Sequence, residues 1–329
     1  MSGAPPTLSV IVPVFNEEAS IAMLHRRVAE TLESAGETFE LVMVDDGSRD
    51  GSWEAMQEAA ARDSRVVLVR LSRNFGHQIA ISAGIDVARG QAVVLMDADL
   101  QDPPELVPRM LACWRDGYDV VYGRRTRRHG ESWFKRATAA AFYRLIRRLT
   151  TVDIPADTGD FRLMSRRVVD VLKRLQERNR FLRGMVAWVG YRQTAVEYER
   201  AERLAGETKY PLRKMIRFAG DAIVSFSFVP LRLATGLGLI ASTLSFAYAV
   251  YAILAALFKW DVVHGWASLI VAVLFLGGVQ LICFGILGEY VGRIYDEVKQ
   301  RPLYVGDVQR SSEAAGSAVA SVSDNRRQR

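Results

Sequence analysis

DADLQD, residues 97–102, places three carboxylates and an amide within six positions, directly after the apolar run AVVLM. Asp97 and Asp99 are two apart, so both can face one side just past a strand, with Gln101 in step. Two carboxylates and an amide oxygen are hard ligands, suited to Mg²⁺ or Mn²⁺ rather than zinc. A metal held there would clamp a diphosphate and neutralise charge on a departing nucleotide. The same residues also read as helix caps or a solvated loop, because a two-carboxylate pattern is short and common. Asp102 precedes Pro103 and Pro104 at a helix start, where N-capping accounts for it.

Two other polar clusters invite both kinds of reading. DDGSRDGS (45–52) is built from ordinary turn formers, and Ser52 is placed to cap the helix that follows. An Asp just past a central strand can also accept hydrogen bonds from a base or ribose. In FNEE, Asn16 is the capping candidate. His25, His77, His129 and His264 have no metal-ligand spacing and are expected to be structural or exposed. No GxGxxG, GxxxxGKS or GxSxG occurs, which disfavours dinucleotide, P-loop and serine-hydrolase readings. Cys113 and Cys283 stand far apart with no CxxC, which excludes a zinc ribbon and suggests a reducing compartment.

These clusters need elements to position them, and residues 1–230 supply a pattern. LSVIVPV (8–14), FELVMV (39–44), VVLVRL (66–71), AVVLM (92–96) and DVVYG (119–123) read as strands. Residues 18–35, 51–62, 76–89 and 104–116 read as helices between them. Such alternation predicts an α/β fold, a Rossmann-like, mainly parallel sheet covered by helices on both faces. Ligands of such sheets collect at the carboxyl ends of the strands. FNEE, DDGSRDGS and DADLQD all lie there.

Beyond residue 230 the chain changes character. No charged residue occurs from 233 to 258 or from 265 to 288. Roughly 20 apolar residues span a hydrocarbon core as a helix, so two transmembrane helices are expected. Arg213, Lys214, Arg217 and Arg232 precede the first span, and Arg293, Lys299 and Arg301 follow the second. Positive-inside logic puts both flanks in the cytoplasm and the short loop around Asp261 outside. MSGAPPTLSV shows no basic n-region before an apolar stretch, so no signal peptide is expected. The predicted organisation is a cytoplasmic α/β domain over 1–205, an amphipathic juxtamembrane segment over 206–230, the hairpin over 231–290, and a cytoplasmic tail over 291–329 with a disordered end.

Residues 124–148 carry nine Arg or Lys against the single acid Glu131, and from Ser132 onward they read as a basic amphipathic helix. Together with 211–229 it suits a membrane surface. A solvated face and a phosphate-holding face are both open readings. Nucleic-acid binding is disfavoured, because the basic run belongs to a tethered α/β domain with a carboxylate cluster.

VIVPVFNEE, VDDGSRDGS, RNFGHQIAISAG, MDADLQDPPE, DTGDFRLM, RLAGETKY and GEYVGRIYDEVKQRP follow one another along most of the chain. Together they resemble the family 2 glycosyltransferases of GT-A fold. Within these they are most similar to the polyprenyl-phosphate glycosyltransferases, the bactoprenol glucosyltransferases above all. Processive synthases of the family carry QxxRW, whereas no Arg-Trp dipeptide occurs here, so a single transfer is implied.

The resemblance implies roles by position. Pro13, Phe15 and Glu17 would line the nucleotide pocket, with Val44 and Asp46 near base and ribose. Asp97, Asp99 and Gln101 would hold Mg²⁺ or Mn²⁺ on the donor diphosphate, with Ala98 beside it. Arg203 and Lys209 match the basic ends of a donor-closing loop, while Arg125, Lys135 and Arg136 match acceptor-phosphate residues. The mannose synthases of the family read DLTGSF where this chain reads ADTGDF, so a base cannot be carried over from them. The bacterial form favours Asp160, with Asp157 second.

The implied reaction is inverting transfer of one sugar, glucose from UDP-glucose first, to undecaprenyl phosphate at the cytoplasmic face. The acceptor phosphate is already anionic near neutral pH, so Asp160 would orient it or take a residual proton. Homo-oligomers, a flippase and a second transferase are partners implied by the same resemblance. Another donor, such as GDP-mannose, and a catalytically silent nucleotide-binding membrane protein are the rival readings.

Overall fold

A computed structural model describes residues 4–125, 158–175, 177–198, 229–258, 266–310 and 320–321. They divide into two compact units. One comprises the described residues up to 198 together with those after 300, and the other the two long helices.

The first unit opens with the alternation expected. β1 (Leu8–Val14), α1 (Glu18–Ser34), β2 (Phe39–Asp45), α2 (Ser52–Arg62), β3 (Val66–Leu71), α3 (His77–Val87) and β4 (Ala92–Leu95) follow in turn. A 3₁₀ turn (Pro104–Leu106), α4 (Val107–Arg115) and β5 (Val120–Arg125) complete the run. Every residue of β1 and β2 is buried, as continuous apolar strands covered on both faces must be. Leu8, Val10, Val12 and Val14 join Ile21, Leu24, Val28 and Leu32 of α1 in one core. That spacing puts a single stripe of α1 against the sheet. On the opposite face α3 packs against β1 and β2. A Cβ on Gly84 would lie 2.3 Å from Ile11 Cγ2, so glycine permits that close approach.

β1 to β4 form a parallel block in the order β4-β1-β2-β3. The sheet then departs from simple alternation. β6 (Thr158–Ser165) lies antiparallel between β4 and β5, and β7 (Gln193–Tyr198) pairs parallel with β5. Between them lie α5 (Arg166–Arg174) and α6 (Leu182–Val189). At the other edge β8 (Gly306–Arg310) runs antiparallel to β3, with the two-residue β9 (Ala320–Ser321) beyond it. The sheet is mainly parallel at its centre and mixed at both flanks. The sequence reading assigned no element to β6, β7 or β8.

Gly90 is a tight spot between α3 and β4. A Cβ there would sit 2.4 Å from Ser9 N and 2.6 Å from Leu8 C, both backbone atoms of β1. The carbonyl of Gly90 also accepts from Arg166 Nε at 2.8 Å. Gly90→Ala is expected to cost about 1–3 kcal/mol of stability, since backbone cannot yield as a flexible side chain would. Thermal unfolding of the detergent-solubilised protein checks this, and an unchanged midpoint would contradict it.

The second unit consists of α7 (Val229–Leu257) and α8 (Trp266–Val298). Both are long and apolar enough to cross a membrane. Large side chains such as Leu239, Phe246, Phe275 and Leu281 are exposed on them, the reverse of a water-soluble helix pair. Cys283 Sγ donates to Ala234 O at 3.6 Å across the hairpin. The helix read from Ser132, the segment 206–228, the loop around Asp261 and residues 311–319 and 322–329 of the tail lie outside the described residues.

Candidate functional site

The carboxyl ends of β1 and β2 carry loops that lace into each other. Asn16 N–H donates to Ser48 Oγ at 3.1 Å, and Arg49 N–H donates to Asn16 Oδ1 at 2.8 Å. Glu17 N–H donates to Ser52 Oγ at 2.9 Å, and Gly51 N–H to Glu18 Oε2 at 3.1 Å. Asn16 and Ser52 were read as caps of their own helices, but α1 and α2 have no side-chain cap of that kind. Adjacent parallel strands bring the two helix starts together, so each loop satisfies the other's amides. Asp102 differs from its reading in the same way. It is buried, makes no cap bond to the 3₁₀ turn, and accepts from Tyr198 Oη at 2.6 Å.

Pro13 and Val44 are register partners in β1 and β2, and Val44 is buried. Phe15 follows on the rim. Asp46, expected near base and ribose, accepts from Phe75 N–H at 2.7 Å and Gly76 N–H at 3.0 Å, fixing the start of α3. Burial raises its pKa against the pull of those two amides. Asp45 instead lines a cleft of about 680 Å³ at the ends of β1, β2 and β3, together with Phe15, Arg70 and Arg73.

Past β4, Asp99 Oδ1 accepts from Gln101 N–H at 3.1 Å, with Leu100 between them at φ 59° and Ala98 buried. A buried leucine in the left-handed region is uncommon, and the fold tolerates it where it aims the flanking side chains. Asp97 is recessed but keeps 31% of its side chain open. Its Oδ1 lies 3.6 Å from His77 Nε2, and the same nitrogen lies 3.4 Å from Asp160 Oδ2. His77 was read as structural or exposed; its side chain is 44% exposed at one edge, while its ring nitrogen is recessed between two carboxylates of the site.

Asp160, on β6, is the most heavily held of these residues. Arg183 Nε donates to Oδ1 at 2.8 Å and its terminal nitrogen to Oδ2 at 3.2 Å. Gln78 Nε2 adds a bond at 3.3 Å, while Gln78 Oε1 accepts from Leu182 N–H at the start of α6. Arg162, buried in β6, stands 4.0 Å away. Burial alone would raise the pKa of Asp160, but His77, Arg183 and Arg162 hold it far below the usual carboxylate range. Burial lowers His77, and its bond to Asp160 and the charge of Asp97 override that and raise it. Burial also pushes Arg162 down to about 10.

Asp97 behaves in the opposite way. Burial, and then the charges of Asp102, Asp160 and Asp99, push it up to about 7. Four carboxylates therefore crowd a place where one cannot comfortably ionise. A divalent cation relieves that crowding, and the donor set is hard oxygen. Among the described residues no group of three His, Cys, Asp or Glu forms a metal cage of its own. That suits an ion held by one or two carboxylates and completed by substrate phosphates and water. Protonation competes with a cation for Asp97, so Mn²⁺ affinity should fall about tenfold per pH unit below pH 7. Electron paramagnetic resonance titration without nucleotide measures this, and a flat profile between pH 5 and 7 would contradict it.

The structure thus brings Asp97, Asp99 and Asp160 together, with the Gln101 N–H on Asp99, and adds His77, Gln78, Arg162 and Arg183. Asp157, Arg203, Lys209, Lys135 and Arg136 lie outside the described residues, and of Arg125 only the backbone, at the end of β5, is described. No sequence spacing points to Arg183; a charged residue inside β6 was the one available hint that a buried cation must face it.

Residues 9–172 match glycosyl transferase family 2, and residues 229–294 match the GtrB C-terminal hairpin. An uncharacterized glycosyltransferase of Bacillus subtilis, YkcC, is 53% identical over 90% of this chain and 92% of its own length. The SfII prophage-derived bactoprenol glucosyl transferase of Shigella flexneri is 45% identical over 91% of this chain and 96% of its own. Mannosyl-3-phosphoglycerate synthase from Rubrobacter xylanophilus, a solved structure, is 18% identical at a TM-score of 0.46, covering 66% of this chain and 72% of that one. Both parts of the chain, the sheet that gathers the carboxylates and the apolar helix pair, are accounted for by the two family matches and the two sequence relatives: the chain belongs to glycosyl transferase family 2, with the GT-A fold and the GtrB C-terminal hairpin.

Proposed function

We propose that this glycosyltransferase moves one hexose, glucose from UDP-glucose, onto undecaprenyl phosphate at the cytoplasmic face of the membrane. The observation that carries the reading is the position of Asp97. It is a crowded carboxylate at a strand end, between a nucleoside-sized cleft and the Asp160–Arg183 pair. Relatives named bactoprenol glucosyl transferase and the apolar hairpin support a lipid-phosphate acceptor.

Asp97 and Asp99, with Gln101, would hold Mg²⁺ or Mn²⁺, which neutralises the departing UDP when bound. Phe15 and the ends of β1 to β3 bind the nucleoside, and Arg203 and Lys209 close over the donor. Arg125, Lys135 and Arg136 hold the acceptor phosphate. That phosphate is an anion and serves as the nucleophile, so the protein's task is to align it and to shield the developing charge. Attack opposite the leaving UDP inverts the anomeric centre and gives a β-linked lipid phosphosugar.

The test is a panel of radiolabelled nucleotide sugars offered to inverted and to right-side-out membrane vesicles containing undecaprenyl phosphate. Labelled lipid from UDP-glucose in inverted vesicles alone is the expected result. Transfer from a different nucleotide sugar reassigns the donor, and transfer only in right-side-out vesicles reverses the topology. No lipid product from any donor overturns the enzymatic reading.

A further inference from the structure

Three walls of the 680 Å³ cleft are the loops after β1, β2 and β3, and the fourth comes from the far end of the chain. Val305, Gly306 and Asp307, which follow the apolar hairpin in sequence, line it opposite Phe15 and Asp45. We infer that Val305–Asp307 is the specificity-determining wall of a nucleoside pocket, contacting the base and ribose of a nucleoside diphosphate. The inference rests on the donor-site reading above and names a part of that site which lies outside the family 2 match at residues 9–172.

The wall is firmly attached to the catalytic unit. Ser72 N–H donates to Val305 O at 2.9 Å, and β8 continues in antiparallel register with Leu71 opposite Gly306 and Arg70 opposite Asp307. Gly306 has no room for a side chain, since a Cβ would meet Arg70 O at 2.5 Å. Tyr304, buried just before it, donates from Oη to Asp86 Oδ2 at 3.0 Å. Arg310 reaches Glu40 Oε2 at 3.3 Å and Val87 O at 3.1 Å. Covering the outer edge of β3 would explain a strand there. The alternation of that strand leaves Val305, between buried Tyr304 and Gly306, 52% exposed, and its exposed side lines the cleft.

The lining has the character of a site for a flat, polar-edged ligand. Val305 and Phe15, the latter 44% exposed, offer apolar surface to the same space. Asp45 offers an unmet acceptor. Its Oδ1 takes the Ser48 N–H at 2.9 Å, while its Oδ2 is buried with no hydrogen-bond partner, Arg70 Nε standing 3.7 Å off. A buried carboxylate oxygen without a donor is costly, and a ligand N–H or O–H would remove that cost. A base edge or a ribose hydroxyl supplies such a donor, and the cleft's volume is in the range of small-molecule sites.

The test uses the full chain in detergent and isothermal titration with UDP and with GDP in the presence of Mg²⁺. Val305→Trp fills the cleft from an exposed position, and Asp307→Arg inverts the charge of the wall. Val305→Trp should weaken UDP binding at least tenfold with an unchanged unfolding midpoint, and Asp307→Arg should change the UDP-to-GDP affinity ratio. Wild-type affinity and ratio in both variants would overturn the assignment of this wall while leaving the donor site standing. A wild-type protein that binds neither nucleotide would overturn the donor-site reading, and this inference with it.

Discussion

Asp99→Asn lowers sugar transfer by about 10²–10³-fold, the usual scale for removing one charge-stabilising group from an active site. The fold should survive. Asp99 is only half-buried, and an Asn oxygen can still accept the Gln101 N–H that shapes the loop at 3.1 Å. What the substitution removes is one negative charge where the proposed reading puts a cation and the donor diphosphate. Two consequences follow from that sign. With one fewer carboxylate nearby, Asp97 loses part of the repulsion that pushes it up to about 7, so its pKa in the variant drops. Divalent cation affinity falls nonetheless, because a ligand charge is gone. Steady-state kinetics across Mn²⁺ titrations at several pH values measures both effects, with circular dichroism as the check on folding. Wild-type kcat/KM in the variant, or full turnover of the wild type in excess EDTA, would remove the metal from the reading.

The parallel block could be read from sequence because each of its strands is a short continuous apolar run. β1, β2 and β3 lie within a residue of where composition puts them, and the turn formers between them mark the loops. β8 is different in kind. Nothing in YVGDVQR says strand by itself, and its partner β3 lies on the other side of the apolar hairpin in sequence. Long-range pairing leaves no local trace. The candidate site divides along the same line. Asp97 and Asp99 carry their signal in type and position at a strand end, whereas Asp160, inside the unread β6, was picked out by the family resemblance alone. His77 and Arg183 acquire meaning only from what the fold sets beside them, an imidazole between two carboxylates and a guanidinium on a buried one. Asn16, Ser52 and Asp102 show the converse error. Their types suit caps, but neighbouring loops and Tyr198 offered closer partners.

Asp160→Asn lowers kcat by about 10²-fold or more, and the loss belongs to positioning rather than to proton transfer. A general base works best with a pKa near the operating pH. Asp160 is held far below the ordinary carboxylate range by His77, Arg183 and Arg162, so at neutral pH it has little tendency to take a proton. A phosphate acceptor has small need of a base in any case, its second ionisation falling near pH 6. The carboxylate's geometry suggests a different task. It fixes the guanidinium of Arg183 through two bonds and keeps His77 between itself and Asp97. Neutralising it removes the carboxylate that faces the buried Arg162 and the partly buried Arg183, so a stability loss of about 3–5 kcal/mol should accompany the kinetic one. Residues acting as one unit are not additive. Arg183→Gln should therefore cost nearly as much in kcat as Asp160→Asn, and the double variant no more than the worse single. The pH profile separates positioning from base catalysis. If Asp160 were the base, the acid limb of kcat would vanish in Asp160→Asn; here the limb near pH 6 should persist, because it belongs to the acceptor phosphate. A flat acidic profile in that variant, or strictly additive losses in the cycle, would return Asp160 to the role of base.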